Sequence, residues 1–274
     1  MKIFCILGDE RAFRTKSPAM FSTVFKRIGI SAAYVPFKVF PDQIGAAMQS
    51  LKSLNIDGAN VTIPYKSSVI PYMNILSEGA KIIGAVNTII RNEQTLKGYN
   101  TNAIGFMDTL EERGFNVTNK HAVVFGSGGG SRAVVFILNW LRAASIKISG
   151  RNRDRVDDIV RKIGGTSTSL EIIGKEKPTA NIIINTTPIS SYDDSPEFAD
   201  FIKNQDFREC ELIIDLNYGR KRNIWQKKAV EIGVPFIDGL TPLAHSARRT
   251  LLLWTKIDVE PSEFLKAIDA VSKP

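Results

Sequence analysis

The chain is poor in cysteine and has no long hydrophobic run, and each scarcity excludes something. Its 274 residues hold two cysteines, Cys5 and Cys210, each in or beside an apolar stretch. Two such residues far apart in sequence suit buried free thiols in a reducing compartment better than a disulfide framework. The first apolar run, residues 3–7, is cut at once by Asp9, Glu10 and Arg11. It is too short and wrongly flanked for a signal-peptide core. No stretch approaches the ~20 apolar residues that a membrane span needs. Internal repeats and low-complexity segments are also missing. The expectation is a cytoplasmic protein with no membrane partner.

What is present is ordinary for a globular chain: 43% hydrophobic and 23% charged residues. The length is generous for one domain and comfortable for two. A net charge of +8 raises the question of nucleic acid. The basic residues are spread along the chain, however, and the densest run, Arg220-Lys221-Arg222, lacks interleaved aromatics, zinc spacing or a helix-turn-helix pattern. The charge reads as a solvated basic surface whose field favours small anions. No nucleic-acid partner and no metal is expected.

The first hundred residues alternate short apolar runs with amphipathic patterns. Strands are expected at 2–8, 33–39 and 59–63, and a hairpin at 86–91 and 95–99 around Asn92-Glu93-Gln94. A helix over 18–28 would open with Ser17 at the cap and Pro18 in the first turn. A second, over 41–54, places Ile44, Ala47, Met48 and Leu51 on one face. Beyond residue 120 wholly apolar strands (122–125, 146–149, 182–184, 212–214, 234–237) alternate with helical stretches at 132–141, 154–163 and 224–232. That alternation marks a parallel sheet covered on both faces. Residues 190–197, rich in Ser and Asp, read as a surface loop, and 242–254 and 261–271 as two helices. The fold class is α/β: an N-terminal α/β domain, then a doubly wound, Rossmann-like one.

The run Gly126-Ser127-Gly128-Gly129-Gly130-Ser131 stands between a strand and a helix, the context that gives a glycine pattern meaning. Gly126 would permit the tight turn and Gly128 a close approach of backbone to a pyrophosphate, facing free N–H groups at the helix start. Gly126, Ser127, Gly128, Gly129 and Gly130 are therefore candidate dinucleotide-binding residues. The next strand ends not in an acid but in Gly150-Arg151-Asn152-Arg153-Asp154-Arg155. An acid there would hold the ribose hydroxyls of NAD, whereas arginines suit the 2′-phosphate of NADP. NADP is favoured over NAD. A solvent-exposed basic turn is the competing reading.

In the first half, Asn60-Val61-Thr62-Ile63-Pro64-Tyr65-Lys66 alternates like a strand and delivers Lys66 at its carboxyl end. Residues 84–88 and 98–102 add amides and hydroxyls, among them Asn87 and Asn102. Ligands of open α/β sheets lie beyond the carboxyl ends of strands. An amine beside amides and hydroxyls suits a small polyhydroxylated carboxylate.

Together these motifs resemble the shikimate dehydrogenase family over nearly the whole chain. Arg14-Thr15-Lys16-Ser17-Pro18 is similar to its Ser-x-Ser-Pro segment, residues 60–66 to Asn-Val-Thr-x-Pro-x-Lys, and residues 85–88 to Ala-Val-Asn-Thr. Residues 126–133 resemble its glycine loop with a trailing Arg-Ala, and Arg151 and Arg155 its NADP-phosphate residues. Asn185-Thr186-Thr187 resembles the segment along the cofactor; Asp215, Tyr218, Asp238-Gly239 and residues 243–254 follow the C-terminal pattern. The resemblance implies a substrate domain over 1–103, an NADP-binding domain over 104–239, and C-terminal helices over 240–274 that return to the substrate domain, with a cleft between domains. It implies NADP-dependent interconversion of 3-dehydroshikimate and shikimate, or a close cyclic hydroxy acid, in aromatic amino acid biosynthesis. Lys66 and Asn102 would be the catalytic pair. Thr15, Ser17, Asn60, Thr62, Asn87, Tyr218 and Ser246 would bind substrate, and Thr187 and Gly239 would join the cofactor set. A monomer or homodimer is expected.

Departures fall mainly on the substrate side. Asn102 stands where the family has its catalytic aspartate, Ser246 where it has a substrate-binding glutamine, and Thr15 where it has the first paired serine. Leu-Thr-Pro-Leu follows Gly239 where a glycine and methionine are usual, and His245 reads as a chance surface residue. Asn102 can hydrogen-bond a hydroxyl but cannot carry charge or take a proton at neutral pH. A dehydrogenase with another substrate, or a ligand-sensing protein with weak turnover, is the alternative.

Overall fold

The structure, a computed structural model, describes residues 1–176, 179–207 and 209–272. It has two compact units, one of Met1–Gly105 with the chain from Leu243 onward, the other Phe106–Pro242.

The first unit carries strands β1 (Lys2–Gly8), β2 (Ala32–Lys38), β3 (Gly58–Val61), β4 (Ile75–Leu76), β5 (Thr88–Asn92) and β6 (Thr95–Tyr99), with helices α1 (Ser17–Arg27), α2 (Ile44–Ser53), α3 (Glu78–Ile83) and the start of α4 (Thr101–Glu112). The strands form one sheet in the order β2-β1-β3-β5-β6-β4. β1 runs parallel to β2 and β3, while β5 is antiparallel to both β3 and β6. β3 stops at Val61, short of the expected Ile63, because the chain turns at Pro64, which has no N–H for a ladder. The stretch expected as one helix from Pro41 begins as a 3-10 turn over Pro41–Gln43. It becomes α2 at Ile44, with Ile44, Met48 and Leu51 buried as the periodicity requires. Ser17 does not cap α1: the N-cap position is Lys16, which makes no side-chain capping hydrogen bond, and the Ser17 hydroxyl is bonded to Tyr34.

The second unit holds β7 (His121–Phe125), α5 (Gly129–Trp140), β8 (Ser145–Ser149), α6 (Arg153–Lys162), β9 (Thr166–Thr168), α7 (Leu170–Glu176), β10 (Ile182–Asn185), α8 (Pro196–Lys203), β11 (Leu212–Asp215), α9 (Ile224–Ile232) and β12 (Phe236–Asp238). All its strand pairs are parallel, in the order β12-β11-β10-β7-β8-β9. The chain thus winds outward from β7 in both directions, the doubly wound arrangement. Every residue of β10 and β11 is buried, as strands covered on both faces must be. The segment 190–197 is not wholly a surface loop. Ser190 is buried and accepts a hydrogen bond from Asn217 Nδ2 at 2.9 Å, and Pro196 already opens α8.

The chain then continues as α10 (Leu240–Thr255) and α11 (Pro261–Ser272), which complete the first unit from Leu243 on. Trp254 of α10 anchors that return. Its ring stacks on Phe4 with centroids 4.4 Å apart and its Nε1 donates to the Ile89 carbonyl at 3.0 Å. A Cβ at Gly58 would run into this ring, so β3 needs glycine there. Phe4, Phe21, Phe25 and Phe264 are buried in the same first-unit core, each contributing about 1.5–3 kcal/mol by leaving water. Both cysteines are buried and free. Among the described residues no helix is long and apolar enough to cross a membrane.

Candidate active site

The first unit gathers hydroxyls and amides from four parts of the chain. Asn60 of β3 and Thr88 of β5 are opposed in the antiparallel pair, and Asn60 Nδ2 donates to Thr88 Oγ1 at 3.1 Å and to the Asn87 carbonyl at 3.0 Å. Tyr34 of β2 donates to Asn60 Oδ1 at 2.8 Å, with Ser17 hydrogen-bonded behind it. Burial raises the Tyr34 phenol well above its ordinary range, so it stays a donor. Thr101, the first residue of α4, meets Thr88, Ser246 and Thr250 through hydroxyl contacts of 2.9, 3.0 and 3.0 Å. Ser246 and Thr250 are four apart on α10 and so share a face. Asn87 holds the start of α4: its Oδ1 accepts the Thr101 N–H at 2.7 Å, while Asn100 accepts from Ala103 N at 3.0 Å. Orphan donors of the helix start are thereby satisfied. Asn102 Oδ1 accepts from Asn87 Nδ2 at 2.9 Å and from Ser246 Oγ at 3.0 Å.

Lys66 follows in the turn after β3, with its carbonyl bonded to the Val86 N–H at 2.7 Å. That places it next to Asn87 along the backbone. Its ammonium makes no ion pair or hydrogen bond among the described residues. Burial alone pushes its pKa down to about 8, because desolvation penalises the charged form and no carboxylate opposes it. The amine therefore titrates near neutrality, where a proton-transfer group is most effective.

The remaining substrate candidates divide. Thr15 turns its hydroxyl back to the Ala12 carbonyl at 3.3 Å. Thr62 packs its methyl where a Gly8 side chain would be, and its hydroxyl is unbonded among the described residues. Tyr218 belongs to the second unit, half-buried in the loop after β11. Ser246 is buried, its hydroxyl engaged with Asn102 and Thr101. His245 is buried too, only 5% exposed, which corrects its reading as a surface residue. Thr88 and Thr101 are hydroxyls of the segments 84–88 and 98–102 expected near the site, whereas Tyr34 and Thr250 were not singled out from the sequence. Only the Ser246–Thr250 spacing on one helix face could have hinted at Thr250.

In the second unit the glycine loop joins β7 to α5. Gly126 has φ +121°, and a Cβ there would lie 2.2 Å from Thr186 Oγ1, so only glycine fits. Gly128, the N-cap of α5, is exposed and a Cβ on it would meet nothing within 4 Å. Ser127 leans on Gly150, 3.0 Å from where a Cβ would sit. Gly239 answers to packing: a Cβ would stand 2.2 Å from the Leu216 carbonyl oxygen. The Thr187 hydroxyl donates to Asn185 Oδ1 at 2.7 Å, and Asn185 in turn donates to the buried Asp215 at 2.8 Å.

After β8, Asn152 caps α6 by accepting from Arg155 N at 2.9 Å. Arg151 and Arg155 are exposed, and neither guanidinium is engaged by a partner among the described residues. Arg132 and Asp158 form an ion pair that, with Arg161 and Lys162, holds the Asp158 carboxyl far below its usual range. The neighbouring acid is thereby occupied. Residues at this strand end fit a 2′-phosphorylated dinucleotide: the guanidiniums of Arg151 and Arg155 have no partner among the described residues, and β8 itself ends in Ser149, followed by Gly150, rather than in an acid. Among the described residues no cluster of His, Cys, Asp or Glu could hold a metal ion.

Comparison with known proteins places these features. The family model of the shikimate dehydrogenase substrate binding domain matches residues 10–89. The shikimate dehydrogenase (NADP(+)) of Desulforamulus reducens is 35% identical over 251 residues, covering 87% of this chain and 85% of that protein. The crystal structure of shikimate dehydrogenase from Aquifex aeolicus superposes with a TM-score of 0.87 at 27% identity, covering 98% of this chain and 97% of that one. Shikimate 5-dehydrogenase from Thermus thermophilus, solved in complex with NADP(H) and shikimate, gives 0.86 at 27% identity, covering 98% and 99%. In its sheets, its glycine loop and its relatives, the chain belongs to the shikimate dehydrogenase family.

Proposed function

We propose that the chain is a cytoplasmic NADP-dependent oxidoreductase that interconverts shikimate, or a close cyclic hydroxy acid, with the corresponding ketone, using Lys66 to move the proton. Its curated relatives are named for this activity, and a solved relative binds NADP(H) and shikimate. The observation that carries the reading is Lys66: a desolvated amine with a pKa of about 8 and no ion pair, next to Asn87 of the amide–hydroxyl set. NADP supplies the hydride acceptor when bound; the α5 start and the guanidiniums of Arg151 and Arg155 would hold it. In oxidation neutral Lys66 would take the hydroxyl proton of the carbinol, and in reduction its ammonium would give the proton to the carbonyl oxygen. General acid–base help of this kind contributes roughly 10²–10⁴ in rate.

Asn102 and Ser246, bonded to one another at 3.0 Å, favour a second reading, the same chemistry on a different cyclic acid. A spectrophotometric screen of NADP reduction over shikimate, quinate and related hydroxy acids separates the two. Turnover of shikimate with NADP and little with NAD is expected. Reduction with none of these acids would overturn the proposal.

A further inference from the structure

Asp215 is fully buried at the carboxyl end of β11, and it forms no ion pair among the described residues. Four donor nitrogens surround its carboxylate instead. Oδ1 accepts from Asn185 Nδ2 at 2.8 Å, from Asn217 Nδ2 at 2.9 Å and from the Asn217 main-chain N–H at 3.1 Å. Oδ2 accepts from Asn223 Nδ2 at 2.7 Å. Amide orientation is ordinarily a choice between two fits; here main-chain groups leave one. Asn185 Oδ1 accepts the Thr187 N–H at 3.0 Å, and Asn223 Oδ1 accepts the Trp225 N–H at 2.8 Å. Asn217 Nδ2 donates to the Thr187 carbonyl at 2.6 Å. All three amides therefore present NH2 to Asp215, and only a side chain that accepts at both oxygens fits among them. Taking a carboxylate out of water is costly. What this arrangement secures is position.

The segments so fixed, residues 185–187 after β10 and 216–217 after β11, touch the glycine loop. Thr186 Oγ1 donates to the Phe125 carbonyl at 2.8 Å, accepts from Ser131 Oγ at 2.5 Å, and stands where a Cβ on Gly126 would be. A Cβ on Gly130 would meet Leu216 at 3.6 Å and Thr186 at 3.8 Å. The chain winds outward from β7 through β8 and β9, then returns to pair β10 with β7. Open α/β sheets bind their ligands at such a switch point. We propose that Asp215 is a positioning residue for the dinucleotide: it holds Thr186 and Leu216 against the glycine loop and so sets how that loop meets the cofactor phosphates. The proposal rests on the NADP reading above. Asp215 acts through these neighbours and not by touching the cofactor.

Calorimetric titration with NADP and with NAD tests this, with urea unfolding alongside to show that each variant is folded. Asp215→Asn turns an NH2 onto a donor whichever way the amide faces. It is expected to lose about tenfold or more in affinity for both dinucleotides and to keep the wild-type preference between them. A loss of fold stability alone would not be undone by moving the charge. Asp215→Asn/Asn223→Asp moves it: the carboxylate at 223 still accepts the Trp225 N–H and now accepts from the amide at 215, whose oxygen serves Asn185 and Asn217. This double variant should return to within about threefold of wild-type affinity. A folded Asp215→Asn protein with full affinity overturns the proposal, and so does a folded double variant that stays as weak as the single one. Where Asp215→Asn does not fold, Asn217→Ala decides. It removes the tie to the Thr187 carbonyl and should weaken both dinucleotides by about threefold or more; full affinity in this variant overturns the proposal. Each of these outcomes leaves the function standing, whereas a wild type that binds neither dinucleotide overturns both.

Discussion

Ser246 donates its hydroxyl to Asn102 Oδ1 at 3.0 Å, so two residues that lie 144 positions apart in the chain touch one another and form one unit.

That unit has a measurable coupling. Ser246→Ala removes a donor to Asn102 and a partner of Thr101, and should cost about 1 kcal/mol of stability. Paired with Asn102→Ala in a double-mutant cycle, it should show an interaction of about 0.5–3 kcal/mol in urea unfolding. Strict additivity would mean that the contact carries no energy.

The pH dependence follows from Lys66. With its pKa at about 8, the amine is mostly charged at neutral pH and neutral above that value. Oxidation of the hydroxy acid needs the neutral form, so kcat/KM should rise with pH and level off above about 8. Reduction of the ketone needs the ammonium and should fall through the same range. A profile that stays flat through this range in both directions would contradict Lys66 as the proton-transfer group.

Arg151 and Arg155 give the cofactor prediction. Each charge-assisted contact to a 2′-phosphate is worth about 1.5–3 kcal/mol. Arg151→Ala should narrow the preference for NADP over NAD by at least tenfold in calorimetric titration. Equal wild-type affinity for both cofactors would remove the basis of this account.

Gly239 separates packing from ligand binding. Its missing Cβ would stand 2.2 Å from the Leu216 carbonyl oxygen, and overpacking against backbone costs about 1–3 kcal/mol. Gly239→Ala should lower the thermal midpoint of the cofactor-free protein, not only that of the complex. An unchanged cofactor-free midpoint would return this glycine to the cofactor.

Much of the fold could be read from local pattern. Strands such as Lys2–Gly8 and Thr95–Tyr99 are bounded by the polar and glycine residues that end them, so their limits agree with the structure. Short elements escaped: β4 has two residues and β9 three, too few for any period to register. α3, six residues long, declares itself only by the Ser77 cap and Gly84 at its end. For the site, Lys66 and the glycine loop stood out because their motifs are contiguous. Tyr34 and Thr250 did not, because their hydroxyls become part of a network only when β2 and α10 meet the Asn87–Thr88 and Thr101–Asn102 segments. The direction of the Asn102 amide is a further step removed. It depends on the Thr101 main chain, and no side-chain pattern encodes that.

The central claim is that this chain oxidises a shikimate-class acid with NADP through Lys66, and one measurement reaches it directly. NADP reduction by shikimate is followed in the wild type and in Lys66→Ala, with NADP affinity determined for both. The account predicts wild-type turnover, a loss of about 10² or more in kcat for the variant, and nearly unchanged NADP binding. Undiminished turnover in Lys66→Ala, or weakened NADP binding at unchanged turnover, would contradict it.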